Sequence, residues 1–339
     1  MQSQREKLAK PFAQVWTEAD YRASAPAKLI VCGEHAVVYG QPAIAVALSD
    51  IRARSALSCG PRGSGPQIIA HDLQTVWNRE TAADNPLLQL VERTLEQLEV
   101  AERDLEISFS SEIPIASGMG SGAAIATALV RVLAAYAGRE LRAGEISAMV
   151  YASEQRFHGT PSGIDNTVVA YEQPIWYQRP PAQPDGTRPA PSIESLQISA
   201  PFSILIGDTG IRSATHRPVG AVRERWQKQP ERYNRLFDQI GAISAQIRSC
   251  LASGDHKALG ALLDANQKLL GQIGVSLPKL NQLVRAARNA GALGAKLSGA
   301  GWGGVMFALV TPESRDAVRQ ALLDAGAARV LETLVGVPS

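Results

Sequence analysis

PIASGMGSGAAIATALVRVLAAYAG, residues 114–138, sets Gly118, Gly120 and Gly122 directly ahead of a helix that is apolar almost all round. The residues before it, DLEISFS (104–110), alternate apolar and polar as a half-buried strand does. The helical pattern runs over 123–137, with only Thr127 and Arg131 breaking its apolar surface before Tyr136, and stops at Gly138. A helix of that kind is buried. Glycines let a turn aim its N–H groups at one point, and the first turn of the following helix adds unpaired donors and about half a positive charge. That combination suits a triphosphate. The same glycines also make a tight strand-to-helix connection, and this segment alone leaves both readings open. G-x-x-x-x-G-K-[ST] is absent, which excludes a P-loop enzyme.

Working outward, AKLIV (27–31) and PAIAVAL (42–48) read as further strands, and Asn85-Pro86 as the cap and first residue of a helix through residue 99. A second helix over 145–157 carries Ile146, Met149, Val150 and Phe157 on one stripe. Glu154 falls about 80° from the middle of that stripe, at its edge, where a carboxylate wants a partner. HGTPSGIDN (158–166) is turn-forming and is expected to lie outside regular structure. GPRGSGP (60–66) and the proline-rich 180–191 read as surface loops, the second inside a hairpin. Beyond it the pattern gives a strand at the start of 201–210, helices over 219–229, 231–252, 256–273 and 277–289, strands AKLSG and GVMFALV, a helix over 312–325 and a last strand over 329–335. The result is an α+β chain in two halves, 1–195 and 196–339.

The 339 residues are enough for two domains, and 45% hydrophobic with 19% charged residues is ordinary globular usage. A net charge of +2 gives no electrostatic case for a nucleic-acid or membrane partner. Three scattered cysteines make neither a disulfide framework nor a zinc site. A polar N-terminus and apolar runs far short of a membrane span predict a cytoplasmic, reducing location.

GAGWGG (299–304) formally matches G-x-G-x-x-G, with Asp324 twenty residues on. It opens a strand instead of a helix, so a dinucleotide fold does not follow. Phosphoryl transfer needs a cation on the transferring group, Mg²⁺, and a carboxylate to orient or deprotonate the acceptor hydroxyl. Lys28 at a strand beginning, Asp165 in a turn and Glu154 for the metal are the charged candidates. G-x-S-x-G is absent, which removes the hydrolase elbow.

Taken in order, PAKLIVCGEHAVVYG (26–40), PIASGMGSGAA (114–124) and KLSGAGWGG (296–304) resemble the three motifs of the GHMP small-molecule kinases. HGTPSGIDN resembles that family's catalytic loop, and GDTGIRSATHRPVGAVRERW (207–226) its C-terminal substrate-side segment. The likeness spans residues 26–310. The string Gly33-Glu34-His35-Ala36-Val37-Val38-Tyr39 is similar to that of the mevalonate-kinase branch, whereas galactokinases carry Asp-Tyr after Gly-Glu-His-Thr.

The resemblance implies an N-terminal domain like the second domain of a ribosomal small-subunit protein and a ferredoxin-like C-terminal domain, with the site in the cleft between. It implies ATP-dependent phosphorylation of mevalonate at its primary hydroxyl, feeding isoprenoid synthesis, with Mg²⁺ as cofactor; a homodimer is compatible with it. Asp165 would be the catalytic carboxylate, and Lys28 would hold it ionised and stabilise charge on the transferring group. The backbone of Pro114, Ser117, Gly118, Met119, Gly120, Ser121, Gly122 and Ala123 would cradle the nucleotide phosphates, with Ser121 and Glu154 on the metal. Glu34, His35, Thr215, Gly299 and Ala300 would face the acceptor. Two positions depart from the family's pattern: Gly122 stands where a second serine is usual, and Trp302 where glycine is usual. The other readings are a related kinase for another mevalonate-pathway acid or a sugar, and a catalytically silent ligand sensor on the same fold.

Overall fold

Residues 8–101, 103–158, 162–180, 189–213 and 216–336 are described by the computed structural model, with backbone alone for 156–158. They fall into two units: the described part of Met1–Ala27 with Ile51–Ile115 and Gly120–Tyr171, and Lys28–Asp50 with Ala116–Met119 and the described part of Glu172–Ser339. Strands β1 (Tyr21–Cys32) and β2 (Ala43–Cys59) pair and run from one unit into the other. Both are longer than the apolar runs 27–31 and 42–48 foretell. In β2 the reason is alternation: Arg52 and Arg54 stay partly exposed while Ala53 and Ser55 are buried.

In the first unit, β2 pairs antiparallel with β5 (Leu105–Ser111) from Ala53↔Ser111 to Cys59↔Leu105. Short β3 (Gln67–Ala70) lies parallel to β5 and antiparallel to β4 (Thr75–Trp77). Helices among its described residues include α1 (Phe12–Glu18), α2 (Arg79–Ala82), α3 (Pro86–Gln97), α4 (Ser121–Tyr136), α5 (Ala143–His158) and α6 (Ile164–Tyr171). Asn85 caps α3 by accepting from the Leu87 and Leu88 N–H groups. Leu105, Ile107 and Phe109 of β5 form one core with Leu88, Val91 and Leu95 of α3 and Leu129 and Leu133 of α4. Each such leucine contributes about 2 kcal/mol by leaving water. The apolar reading of α4 is borne out, with even Thr127 wholly buried.

One expectation is corrected here. The end of HGTPSGIDN is regular structure, since Ile164, Asp165 and Asn166 open α6. Ser162 Oγ accepts the Ile164 N–H, and Ile164, Val168 and Val169 bury one stripe, so capping and burial together outweigh the turn-forming composition. Residues 159–161 of that loop lie outside the described residues, as do 181–188 of the proline-rich segment and Thr215.

In the second unit, β6 (Ile175–Gln178) pairs with β2 and with β7 (Ser192–Ser195), the two arms flanking the proline-rich loop. A four-stranded antiparallel sheet has the order β11-β8-β10-β9, from β8 (Phe202–Asp208), β9 (Gly294–Ser298), β10 (Val305–Val310) and β11 (Arg329–Val335). VMFALV is buried throughout, as an unbroken apolar run in a central strand should be. The helices are α7 (His216–Lys228), α8 (Pro230–Ser253), α9 (His256–Gln272), α10 (Pro278–Asn289) and α11 (Arg315–Asp324). Gly260 of α9 and Gly294 of β9 touch backbone to backbone, so a Cβ on Gly294 would stand 2.1 Å from the Gly260 oxygen. That contact lets Asp264 and Gln267 of α9 accept the Ala295 and Leu297 N–H groups of β9, both at 2.9 Å. Arg288 of α10 donates to the Ala295 carbonyl at 2.8 Å.

Candidate active site

The second unit gathers the first motif from Lys28 on, the entry to the glycine turn and the third motif. Lys28 on β1 is 2% exposed, and its N–H donates to the Met119 carbonyl at 3.0 Å. Two residues on, Ile30 exchanges both backbone hydrogen bonds with Ser298 Oγ, each at 3.0 Å. The chain then turns at Gly33, φ 101°, where a Cβ would lie 2.4 Å from the Ala43 Cα, so only glycine fits. His35 follows in the left-handed region at φ 61°, and its Nε2 lies 2.9 Å from the Ala300 carbonyl. A carbonyl only accepts, so Nε2 carries the proton. Burial lowers the ring's pKa to about 4, which leaves it neutral at pH 7 with Nδ1 as an acceptor. Nδ1 makes no hydrogen bond among the described residues.

Glu34 is 2% exposed and ion-pairs with Lys296 of β9, itself wholly buried. Burial raises the Glu34 pKa, while Lys296 and, more weakly, Lys28 pull it down. Lys296 also donates to the Leu297 carbonyl at 2.7 Å and lies over the Phe307 ring. Sequence reasoning passed over Lys296, because a lysine in an apolar strand reads as a stem with its charge in water. A second unforeseen pair is Asp208 at the end of β8 with Arg212, bidentate at 2.8 Å for both bonds. It folds residues 208–212 onto the third motif, where Thr209 Oγ1 donates to the Gly304 carbonyl at 2.7 Å and Gly304 N–H to the Ile211 carbonyl at 2.9 Å.

Gly299 faces Gly118: a Cβ on Gly299 would meet the Gly118 oxygen at 3.5 Å. Ser117 and Met119 are buried, so this part of the turn offers mainly backbone. Trp302 takes the left-handed conformation at φ 56°, its N–H bonding the Val275 carbonyl at 2.9 Å and its indole Nε1 the Gly274 carbonyl at 3.1 Å. The bulky ring is thus engaged beyond the end of α9.

The first unit holds the other candidates. Gly120 is left-handed at φ 74°, and the first intrahelical bond of α4 runs from the Ala124 N–H to the Gly120 carbonyl. The N–H groups of Ser121, Gly122 and Ala123 precede that ladder, as an anion-facing helix start requires. Pro114 and Ala123 are buried, Ser121 is half-buried and Gly122 exposed. Glu154 on α5 and Asp165 in the first turn of α6 are both half-buried. Helices α4, α5 and α6 pack on one another, so Ser121, Glu154 and Asp165 ride on three mutually braced elements. Asn166 fixes α6 to α5 by donating to the Ser147 hydroxyl at 2.8 Å.

Comparison with known proteins gives this arrangement its family. Residues 85–173 match the GHMP kinases N terminal domain and residues 247–328 the GHMP kinases C terminal model. The mevalonate kinase of Pyrococcus furiosus is 32% identical over 91% of this chain and 95% of its own. That of Pyrococcus horikoshii is 35% identical over 87% and 90%. The structure of L. major mevalonate kinase in complex with R-mevalonate superposes with a TM-score of 0.78 at 29% identity, covering 93% of this chain and 95% of that one. Two matched domains, relatives spanning nearly the whole sequence and a shared architecture agree: the chain belongs to the GHMP kinase family.

Proposed function

We propose that this ATP-dependent small-molecule kinase is a mevalonate kinase, phosphorylating (R)-mevalonate at its 5-hydroxyl to give 5-phosphomevalonate for isoprenoid synthesis. The observation that carries the reading is the set of mevalonate kinases 32–35% identical to it over most of the chain. In the reaction the acceptor oxygen bonds to the γ-phosphorus of ATP, the bond to the bridging β–γ oxygen breaks, and ADP leaves with its electron pair. Asp165 orients the hydroxyl and receives its proton. Because the transition state is loose, positioning counts for more than basicity. Lys28, a buried cation, stabilises charge on the transferring group, and the first turn of α4 holds the phosphates by its N–H groups.

Ser121 and Glu154 suit Mg²⁺: a hydroxyl and a carboxylate are hard oxygen donors, and Mg²⁺ takes few protein ligands beside phosphate oxygens and water. Among the described residues no group of three or more His, Cys, Asp or Glu forms a metal cage, which agrees with so sparse a donor set. When bound, the ion neutralises charge on the phosphates. A cytoplasmic location fits a chain in which no described helix is long and apolar enough to cross a membrane.

The test is ADP release from Mg-ATP with mevalonate, phosphomevalonate, galactose and homoserine offered side by side. Turnover with mevalonate is expected. Turnover with another acceptor alone reassigns the substrate, and none at all from folded, ATP-binding protein points to a silent sensor. Asp165→Asn should keep nucleotide affinity and lose at least about 100-fold in kcat, the scale of a positioned acid–base group.

A further inference from the structure

The Lys296–Glu34 pair leaves one atom unexplained. Glu34 Oε1 is held by Lys296, whereas Oε2 is buried and has no hydrogen-bond partner among the described residues. A buried carboxylate oxygen without a donor is costly to leave so. The neighbouring His35 presents a second open acceptor, Nδ1, because its Nε2–H is committed to Ala300. Glu34 Oε2 lacks a donor among the described residues, which the hydroxyl of a bound ligand can supply.

We propose that Lys296 is a positioning residue for the acceptor substrate: its ion pair fixes Glu34 so that Oε2 accepts a hydrogen bond from an acceptor hydroxyl. The proposal rests on the kinase reading above, with Glu34 on the acceptor side. The groups that face Glu34 among the described residues are Lys296 from β9, Lys28 and Cys32 from β1, and its chain neighbour His35. Cys32, wholly buried with its thiol pushed up to about 12, stays neutral. His35 is neutral too. Lys296, the closer and stronger influence, is therefore the main opponent of the burial that would otherwise protonate Glu34. The clamp of Asp264, Gln267 and Arg288 on β9 fixes the backbone from which Lys296 projects.

Lys296→Met should raise the acceptor KM at least about tenfold, leave the ATP KM within about twofold, and move the acid limb of acceptor kcat/KM upward by at least about one pH unit. Raising the pH then recovers part of the loss, which a general loosening of the fold would not do. Lys296→Arg, keeping the charge, should keep the limb in place. In Glu34→Gln/Lys296→Met the limb should vanish, and the acceptor KM should be no worse than in the worse single variant. Equal changes in both KM values, or an unmoved limb, overturn the proposal. If Lys296→Met does not fold, Glu34→Gln carries the test: it should raise the acceptor KM at least about tenfold with the ATP KM unmoved, and an unchanged acceptor KM overturns the proposal. All variants are assayed with whichever acceptor the wild type turns over, so a wrong substrate assignment shows in the wild type alone.

Discussion

The two glycine turns look alike in sequence and differ in what surrounds them. In GAGWGG the last three glycines are pressed against backbone: a Cβ would stand 2.2 Å from the Val275 oxygen at Gly301, 2.6 Å from the Ile211 oxygen at Gly303 and 2.5 Å from the Ser117 oxygen at Gly304. In SGMGSG the nearest atom to a Cβ on Gly118 is 3.6 Å away, and Gly122 has nothing within 4 Å among the described residues. The first set is glycine because other chain segments need the room. The second is glycine where conformation asks for it, at Gly118 and Gly120, and leaves space over the helix start. A glycine count cannot tell these apart, but a Cβ can.

Substitutions sharpen the contrast, from the largest effect down. Gly301→Ala combines a left-handed φ of 76° with a backbone collision and should cost about 2–5 kcal/mol. An unfolding free energy from urea titration within about 0.5 kcal/mol of wild type would show that the tight turn yields. His35, tied to that same turn through Ala300, adds a pH dependence. Its folded pKa of about 4 lies below the unfolded value, so its contribution is complete above pH 6.5 and is lost as pH falls toward 4. The loss is about 3 kcal/mol by pH 4. His35→Asn, which tolerates the left-handed backbone, should flatten that limb of stability against pH; an unchanged limb would assign it to other groups. Gly118→Ala meets strain without collision and should cost about 1–2 kcal/mol. Gly122→Ala, helical and open, should stabilise by up to about 1 kcal/mol. A loss at Gly122 as large as at Gly301 would erase the distinction between the turns.

How much of this was legible follows from the range of each signal. The buried helix α4, the strand β5 and the turn between them are local patterns, and 114–138 carries them openly. The start of α6 was hidden because Pro161, Ser162 and Gly163 read as turn formers, although the apolar spacing of Ile164, Val168 and Val169 lay just beyond. The motifs contain both Glu34 and Lys296 but not their pairing, since the two are 262 positions apart and no local period links them. Trp302 was visible as an oddity, yet its role needed the Gly274 carbonyl, which only folding brings beside it. Patterns within one element were readable; pairings across the chain were not.

The hold of α9 and α10 on β9 has a last consequence. An outer strand normally presents a row of free N–H and C=O groups on which another chain can add itself as a further strand. Here the outward N–H groups of Ala295 and Leu297 are taken by Asp264 and Gln267, and the corresponding carbonyls by Arg288 and Lys296. The residues that steady the site's backbone therefore also close that side of the sheet to aggregation. An apolar strand such as GAKLS can then lie at a sheet margin without recruiting its like.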